Sequence, residues 1–309
     1  MKSTMIVLKD LSRFDKTVRL LFANSTHRGP GMVVRNLTKG LDAAGLVPIG
    51  VHSSVASSMT GVLQFCHPEL INELHQEKAP ALMGPNLFVL PTDNPSLCKM
   101  FDHFVVPSQW VKEKYQQFDL MKEKDIQVWS VGIDTEEWKP VDRNGEIDCL
   151  IYHKNRSAQD LAVVEAVCRK YKLNYKVLEY GKYQEKELRN IATEQARFAI
   201  LCTGTESQGI AYMQMLSSDL PCYVFNNPTW KSEDGKHSFK ASSVPLWDKR
   251  CGYKSDKVDL GHFEEFLEKV DDGIFAAREY ILEHHTLEKA AQSYYNLLRR
   301  AYGKESVEF

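Results

Sequence analysis

Apolar and polar positions along this chain fall into a recurring cycle. A short run rich in Val, Ile, Leu and Phe is followed by a turn, then by a stretch with apolar residues at helical spacing. Val18–Ala23 predicts the first strand, and Asn24–Gly31 (NSTHRGPG) a Gly/Pro loop after it. Met32–Ala44 carries Val33, Val34, Leu37 and Leu41 on one helical face, with Gly45 placed to end the helix. Residues 47–52 (VPIGVH) predict the next strand, while residues 53–80 show no clear period. Ala81–Met83 and Phe88–Leu90 read as short extended pieces around Gly84-Pro85-Asn86. Residues 103–107 (HFVVP) read as a strand, Ser108 as the cap of a helix to about Phe118, and residues 126–131 (IQVWSV) as the last strand of the first half.

Gly132–Pro140 (GIDTEEWKP) has turn chemistry and ends in proline, so a domain boundary is expected just after it. The cycle then restarts. Residues 148–153, 175–181, 197–203 and 221–226 predict strands, and Glu185–Glu194 and Gly209–Ser218 predict helices. Ser157 with Asp160 makes a capping box for a further helix to about Tyr171. From Phe263 onward the pattern is helical, closing with an amphipathic segment over Thr286–Tyr302. Two strand–helix series in succession predict an α/β protein of two doubly wound, Rossmann-like domains. The expected division is 1–141, 142–285 and a terminal helix over 286–309. In such sheets ligands bind outside the carboxyl ends of the strands, so the loops that follow strands are where chemistry is sought.

Composition narrows the classes without choosing one. The 309 residues are 43% apolar and 26% charged, as in an ordinary globular protein of two domains. Lys and Arg total 39 against 41 Asp and Glu, so no whole-chain field draws in nucleic acid. The seven Cys form no C-x-x-C pair and no metal-ligand spacing with His. They read as reduced thiols, and with too short an apolar N-terminus for a signal peptide and no run long enough to span a bilayer, a cytoplasmic location is expected. Asn24, Asn36 and Asn155 head N-x-S/T triplets, which carry no meaning in that compartment. His27, Arg28, Lys99 and His103 read as ordinary surface residues rather than a positive rim.

Three loops stand out. In Asn24–Gly31, Gly29 and Gly31 let backbone approach a ligand, although a plain strand–helix turn explains them equally. The loop is not G-x-G-x-x-G, which disfavours a nicotinamide cofactor and a dehydrogenase. His153-Lys154-Asn155-Arg156 sets two cations at a strand end before a helix N-terminus, which suits a diphosphate or, alternatively, a solvated basic turn. Thr205–Ile210 (TESQGI) sets Glu206 at the end of another strand, either as a ligand group or as a helix cap.

The stretch from Glu206 through Gln214 and Leu220-Pro221 to Val224 resembles the signature of retaining glycosyltransferases of family-4 type: a Glu, seven residues, a second Glu, small residues, then Leu-Pro before a strand. Ser130-Val-Gly-Ile-Asp134 with Trp138-Lys-Pro140 is similar to that family's interdomain segment. Val106-Pro-Ser108-Gln-Trp-Val111 is similar to its "PS-x-x-V" helix start, and Gly29–Gly45 to its N-terminal loop and helix. The resemblance implies a GT-B fold, with two domains facing across a cleft and a C-terminal helix crossing back. It implies transfer of a hexosyl or pentosyl group from a nucleoside-diphosphate sugar to an acceptor hydroxyl with retention, with no metal and no cofactor. Glu206, Lys154 and Arg156 would carry the chemistry. Gly29, Gly31, Asn86, Ser207, Gln208, Gly209, Ile210 and Gln214 would bind the donor, Asn86 standing nearest to the position of the family's sugar-binding His. Gln214 replaces the motif's second Glu, which in the family meets the ribose. The acceptor stays open among a glycan, a lipid head group, a protein and a hydroxylated DNA base. A nucleotide-sugar epimerase on the same scaffold and a non-catalytic nucleotide-sugar-binding protein remain as alternatives.

Overall fold

A computed structural model describes residues 3–10, 17–23, 28–50, 59–64, 68–78 and 80–306. The chain divides into two compact units: residues 1–132 together with 287–309, and residues 133–286.

The first unit is built on a seven-stranded sheet. Its strands are β1 (Ser3–Asp10), β2 (Thr17–Ala23), β3 (Leu46–Gly50), β4 (Met59–Gln64), β5 (Ala81–Asn86), β6 (His103–Val106) and β7 (Asp125–Val128), in the order β3-β1-β2-β4-β5-β6-β7. The helices between them are α1 (Arg28–Ala43), α2 (Pro68–Gln76), α3 (Pro95–Met100) and α4 (Gln109–Gln116). β1 runs antiparallel to both neighbours, and β2 and β4–β7 are mutually parallel. The hydrophobic pattern did not reveal β1, and left β4 and α2 undivided within residues 53–80. β5 continues through Gly84-Pro85 to Asn86, where two short pieces were expected. One face of the sheet packs Leu21, Val62, Met83, Phe104 and Ile126 against α2–α4.

The second unit carries a five-stranded sheet that is parallel throughout, ordered β14-β11-β10-β8-β9. Its strands are β8 (Ile147–Lys154), β9 (Tyr175–Glu179), β10 (Ala196–Thr203), β11 (Cys222–Phe225) and β14 (Gly252–Ser255), with a separate hairpin of β12 (Thr229–Lys231) and β13 (Ser238–Lys240). β10 is buried nearly along its whole length, as its unbroken apolar run requires of a strand covered on both faces. On one side, α5 (Ala158–Lys170) and α8 (Leu260–Asp271) pack Val164, Cys168, Phe263 and Phe266 over Ile151 and Ile200. On the other lie α6 (Glu185–Asn190), α7 (Ile210–Ser217) and α9 (Ala277–His284), through Leu188, Met213, Leu216 and Ile281. Helices on both faces make this unit doubly wound. The capping box is present: Ser157 Oγ accepts from the Asp160 N–H at 3.0 Å, and the Asp160 carboxylate accepts from the Ser157 N–H.

The division between units falls at Gly132, upstream of the expected boundary after Pro140. The turn-like segment is fastened to the second unit. Trp138 is buried in that unit's core, and Arg278 of α9 donates to the carbonyls of Thr135 (3.0 Å) and Trp138 (3.3 Å). The Ile133 N–H donates to His285 O at 2.8 Å.

The last helix, α10 (Leu287–Ala301), returns to the first unit. Trp129 Nε1 donates to Ala290 O at 2.8 Å, and Gly40 and Gly61 make room for Ala291 and Tyr294 at sites where no side chain would fit. Asn36, in one of the N-x-S/T triplets, is buried and donates to Gly132 O. Cys98, Cys149, Cys168, Cys202, Cys222 and Cys251 are free and buried. No helix among the described residues is long and apolar enough to cross a membrane.

Candidate functional site

From β8 the chain of the second unit goes first to β9 on one side, then crosses to β10 on the other. The carboxyl ends of β8 and β10 therefore flank the point where the strand order reverses, which is where open parallel sheets hold their ligands. The register fixes what stands there: Lys154, the last residue of β8, pairs with Thr203, the last of β10.

Past Lys154 the backbone turns sharply at Asn155, whose φ is 53°, and delivers Arg156 before α5 begins. The loop after β10 lies directly against this turn. The Gly204 N–H donates to Lys154 O at 2.8 Å, and a Cβ on Gly204 would stand 2.8 Å from Asn155 O, so only glycine allows the approach. Two residues on, the Glu206 N–H donates to Ser242 O at 2.9 Å. This directs its carboxylate to the Lys154 ammonium, with Oε1 at 2.8 Å and Oε2 at 3.0 Å. Both side chains are mostly buried, 19% exposed for Lys154 and 12% for Glu206. Burial pushes the Glu206 carboxyl above the ordinary glutamate range, and the Lys154 charge and hydrogen bond pull it partly back. The ammonium also stands 4.5 Å from the centroid of the Tyr180 ring.

Arg156 is held differently. Its guanidinium lies 4.2 Å over the Phe225 ring and donates from Nη2 to Phe225 O at 3.2 Å. Its Nε is buried with no hydrogen-bond partner. The same is true of His153 Nε2, Thr203 Oγ1 and Gln208 Nε2. A buried polar atom left so costs about 1–3 kcal/mol, so four of them at the ends of β8 and β10 and in the loops that follow are candidates to meet polar ligand atoms.

Of the other residues singled out in this unit, Ser207 is exposed and Ile210 opens α7. Gly209 sits just before that helix with φ 82°, a left-handed conformation that suits glycine. Gln214 is not a solvated helix residue. It is 2% exposed, and its Nε2 donates to Glu185 Oε1 at 3.4 Å. The amide thus faces a carboxylate of α6.

The candidates of the first unit do not form a loop as expected. Gly29 and Gly31 lie in the first turn of α1, which starts at Arg28, because the glycines are accommodated in a helix rather than breaking it. A Cβ on Gly29 would meet nothing within 4 Å, so the protein itself demands no glycine there. Asn24–His27, the rest of that segment, lies outside the described residues. Asn86 ends β5 with its Nδ2 buried and without a partner. Ser108 precedes α4, but its side chain makes no capping bond and its buried Oγ has no partner. His103 opens β6 and hydrogen-bonds Asp125 at 3.3 Å.

Tyr180, Phe225 and Ser242, which fix Lys154, Arg156 and Glu206, were not singled out. Each lies in a strand end or loop whose own composition is unremarkable. Among the described residues no group of three or more His, Cys, Asp and Glu is arranged to hold a metal ion.

Solved structures share this architecture. A chain of the GtfA/B complex superposes with a TM-score of 0.51 at 13% identity, over 80% of this chain and 58% of that one. Sucrose-phosphate synthase from Thermosynechococcus elongatus superposes with a TM-score of 0.52 at 10% identity, over 89% of this chain and 94% of that one. This chain thus spans less than two thirds of the GtfA/B chain. No protein-family model matches the sequence, and no curated protein matches it. With its two Rossmann-like units, the fold is that of the GT-B class.

Proposed function

We propose that this protein is a glycosyltransferase whose second unit holds a nucleoside-diphosphate sugar and passes the sugar to an acceptor hydroxyl with retention of configuration. One observation carries the reading. At the strand-order reversal, two cations, one carboxylate and four unpartnered buried polar atoms sit at the ends of β8 and β10 and on the two loops that follow, which are in contact. Such a set meets a ligand that is anionic at one end and hydroxyl-rich at the other. The fold's likeness to a sucrose-phosphate synthase supports the same class.

In this reading Arg156 and Lys154 take the diphosphate. Arg156 offers its unpartnered Nε and Lys154 a point charge. Glu206, acceptor-only when ionised, takes hydroxyls of the donor sugar. Gln208 Nε2 and the backbone amides around Gly209 take sugar and phosphate oxygens. Gln214 acts through Glu185, whose carboxylate it holds. The bond between the anomeric carbon and the diphosphate oxygen breaks. The acceptor oxygen bonds to that carbon on the same face, and its proton goes to the departing diphosphate. The negative charge that develops on the leaving group is met by Arg156, Lys154 and backbone amides, without a metal ion.

Thermal denaturation against a panel of nucleoside-diphosphate sugars, followed by measurement of nucleoside diphosphate released, tests the proposal. One donor is expected to raise the melting temperature and to be turned over, slowly by water and faster with its acceptor. Glu206→Ala is expected to remove turnover in a variant that still folds. No stabilisation by any donor, or undiminished turnover in that variant, overturns the assignment. Isomerised donor as the product would make it an epimerase instead.

A further inference from the structure

Tyr180 follows β9 at the same edge of the sheet and is 46% exposed, one of the few large apolar side chains left in solvent among the described residues. Its position is set from two sides. The backbone N–H donates to His153 O at 2.9 Å, which fixes the chain beside the end of β8. The ring lies under the Lys154 ammonium at 4.5 Å, and that ammonium is itself held by Glu206. A cation over a ring face is attractive, and more so where the cation is partly desolvated, as Lys154 is. An exposed tyrosine would otherwise sample several rotamers. Here it is tied to one of the two cations of the candidate phosphate site.

The juxtaposition has a chemical reading. A nucleotide is a flat heterocycle joined to phosphate through one sugar ring. A site for it needs a cation and, about one sugar length away, a π-face. Base–aromatic stacking works for any base, because every base has such a face. Lys154 and Tyr180 supply the two parts on adjacent strands. We propose that Tyr180 is the platform on which the nucleobase of the donor stacks, using the part of the ring that the ammonium does not cover, and that this contact makes the second unit prefer nucleoside diphosphates to bare diphosphate. The proposal rests on the donor site assigned to this unit above. It adds a specificity-determining residue to that site.

Calorimetric titration of the whole chain with UDP, GDP, ADP and inorganic pyrophosphate decides it, on the wild type, Tyr180→Ala and Tyr180→Phe. The wild type is expected to bind at least one of the nucleotides more tightly than pyrophosphate. Tyr180→Ala is expected to weaken that nucleotide about ten- to hundredfold while leaving pyrophosphate unchanged, and Tyr180→Phe to keep both affinities. Equal weakening of nucleotide and pyrophosphate in Tyr180→Ala would mean that the ring only steers Lys154, and would overturn the platform while the diphosphate site stands. So would a wild type that binds pyrophosphate as tightly as every nucleotide, or a Tyr180→Ala variant that binds like the wild type. Failure of the wild type to bind any of the four would remove the donor site and the platform together. Circular dichroism melting of each variant separates loss of binding from loss of fold.

Discussion

Removing the Lys154 ammonium tests the electrostatics of the site without needing its ligand. Lys154→Met keeps an unbranched apolar side chain of similar length and deletes the charge 2.8 Å from Glu206 Oε1. The carboxylate then remains buried and loses its cation. Breaking a buried pair costs about 3–5 kcal/mol, and because Lys154 is 19% and Glu206 12% exposed, the low end applies, about 3 kcal/mol. For a unit of this size that corresponds to a fall of roughly 6–12 °C in melting temperature. The pH dependence supplies the sharper check. Glu206 already has a folded pKa above its ordinary value because burial disfavours the anion. Losing the Lys154 charge and hydrogen bond that lower it makes it rise further. In the interval between the unfolded value of about 4.3 and the raised folded value, the folded chain holds a proton that the unfolded chain has released. Stability therefore falls as pH rises through that interval. The deficit of Lys154→Met should be small at pH 4.5 and full at pH 8. Adding Glu206→Gln to it should recover most of the loss at pH 8. Melting curves of the wild type, Lys154→Met and the double variant at both pH values give the answer. A deficit that is equal at the two pH values, or a double variant no better than Lys154→Met, would refute the buried ion pair as described.

Replacing Lys154 and Arg156 together by Ala should weaken a nucleoside diphosphate more than the monophosphate, by about 1.5–3 kcal/mol per lost charged contact; equal losses in calorimetry would count both side chains as mere surface charge. Gly204→Ala should cost about 1–3 kcal/mol in denaturant unfolding, because its Cβ would press on Asn155 O at 2.8 Å and part the two loops. Gln214→Glu should destabilise the chain at neutral pH and recover in acid, since it sets a second carboxylate against Glu185 at a position 2% exposed; unchanged melting at pH 8 would contradict the contact. Transfer should persist in excess chelator, and loss that magnesium or manganese restores would contradict charge stabilisation by protein groups alone.

The parts of this fold that were legible in the sequence are those governed by local pattern. β8 to β11 and α7 appear as apolar runs and helical spacing, and strand alternation with helices gave the parallel sheet of the second unit. The cations and Glu206 were legible because loops after strands are few. What was hidden depends on contacts between distant residues. Trp138 and Pro140 sit in a stretch with linker composition, and it takes the burial of Trp138 and the carbonyls reached by Arg278 to assign it to the second unit. Gln214 reads as a weakened ligand until Glu185, from another helix, is seen opposite it. Gly29 and Gly31 have loop composition yet begin a helix. Short edge elements such as β14 and the β12–β13 hairpin are too brief for a period to register. Ser108 has the residue type of a cap, but its Oγ makes no capping bond.

The return of α10 to the first unit makes residues 133–286 an insertion within a domain that begins and ends elsewhere in the chain. During synthesis the second unit emerges whole while the first still lacks the helix that covers Gly40 and Gly61. The order of completion is thus reversed relative to the order of the N-termini, and the first unit must wait for α10 through the translation of its neighbour. A chain halted before Leu287 would leave a second unit able to close and a first unit unable to. Pulse proteolysis of nascent chains of increasing length would see protection arise in the later-encoded unit first.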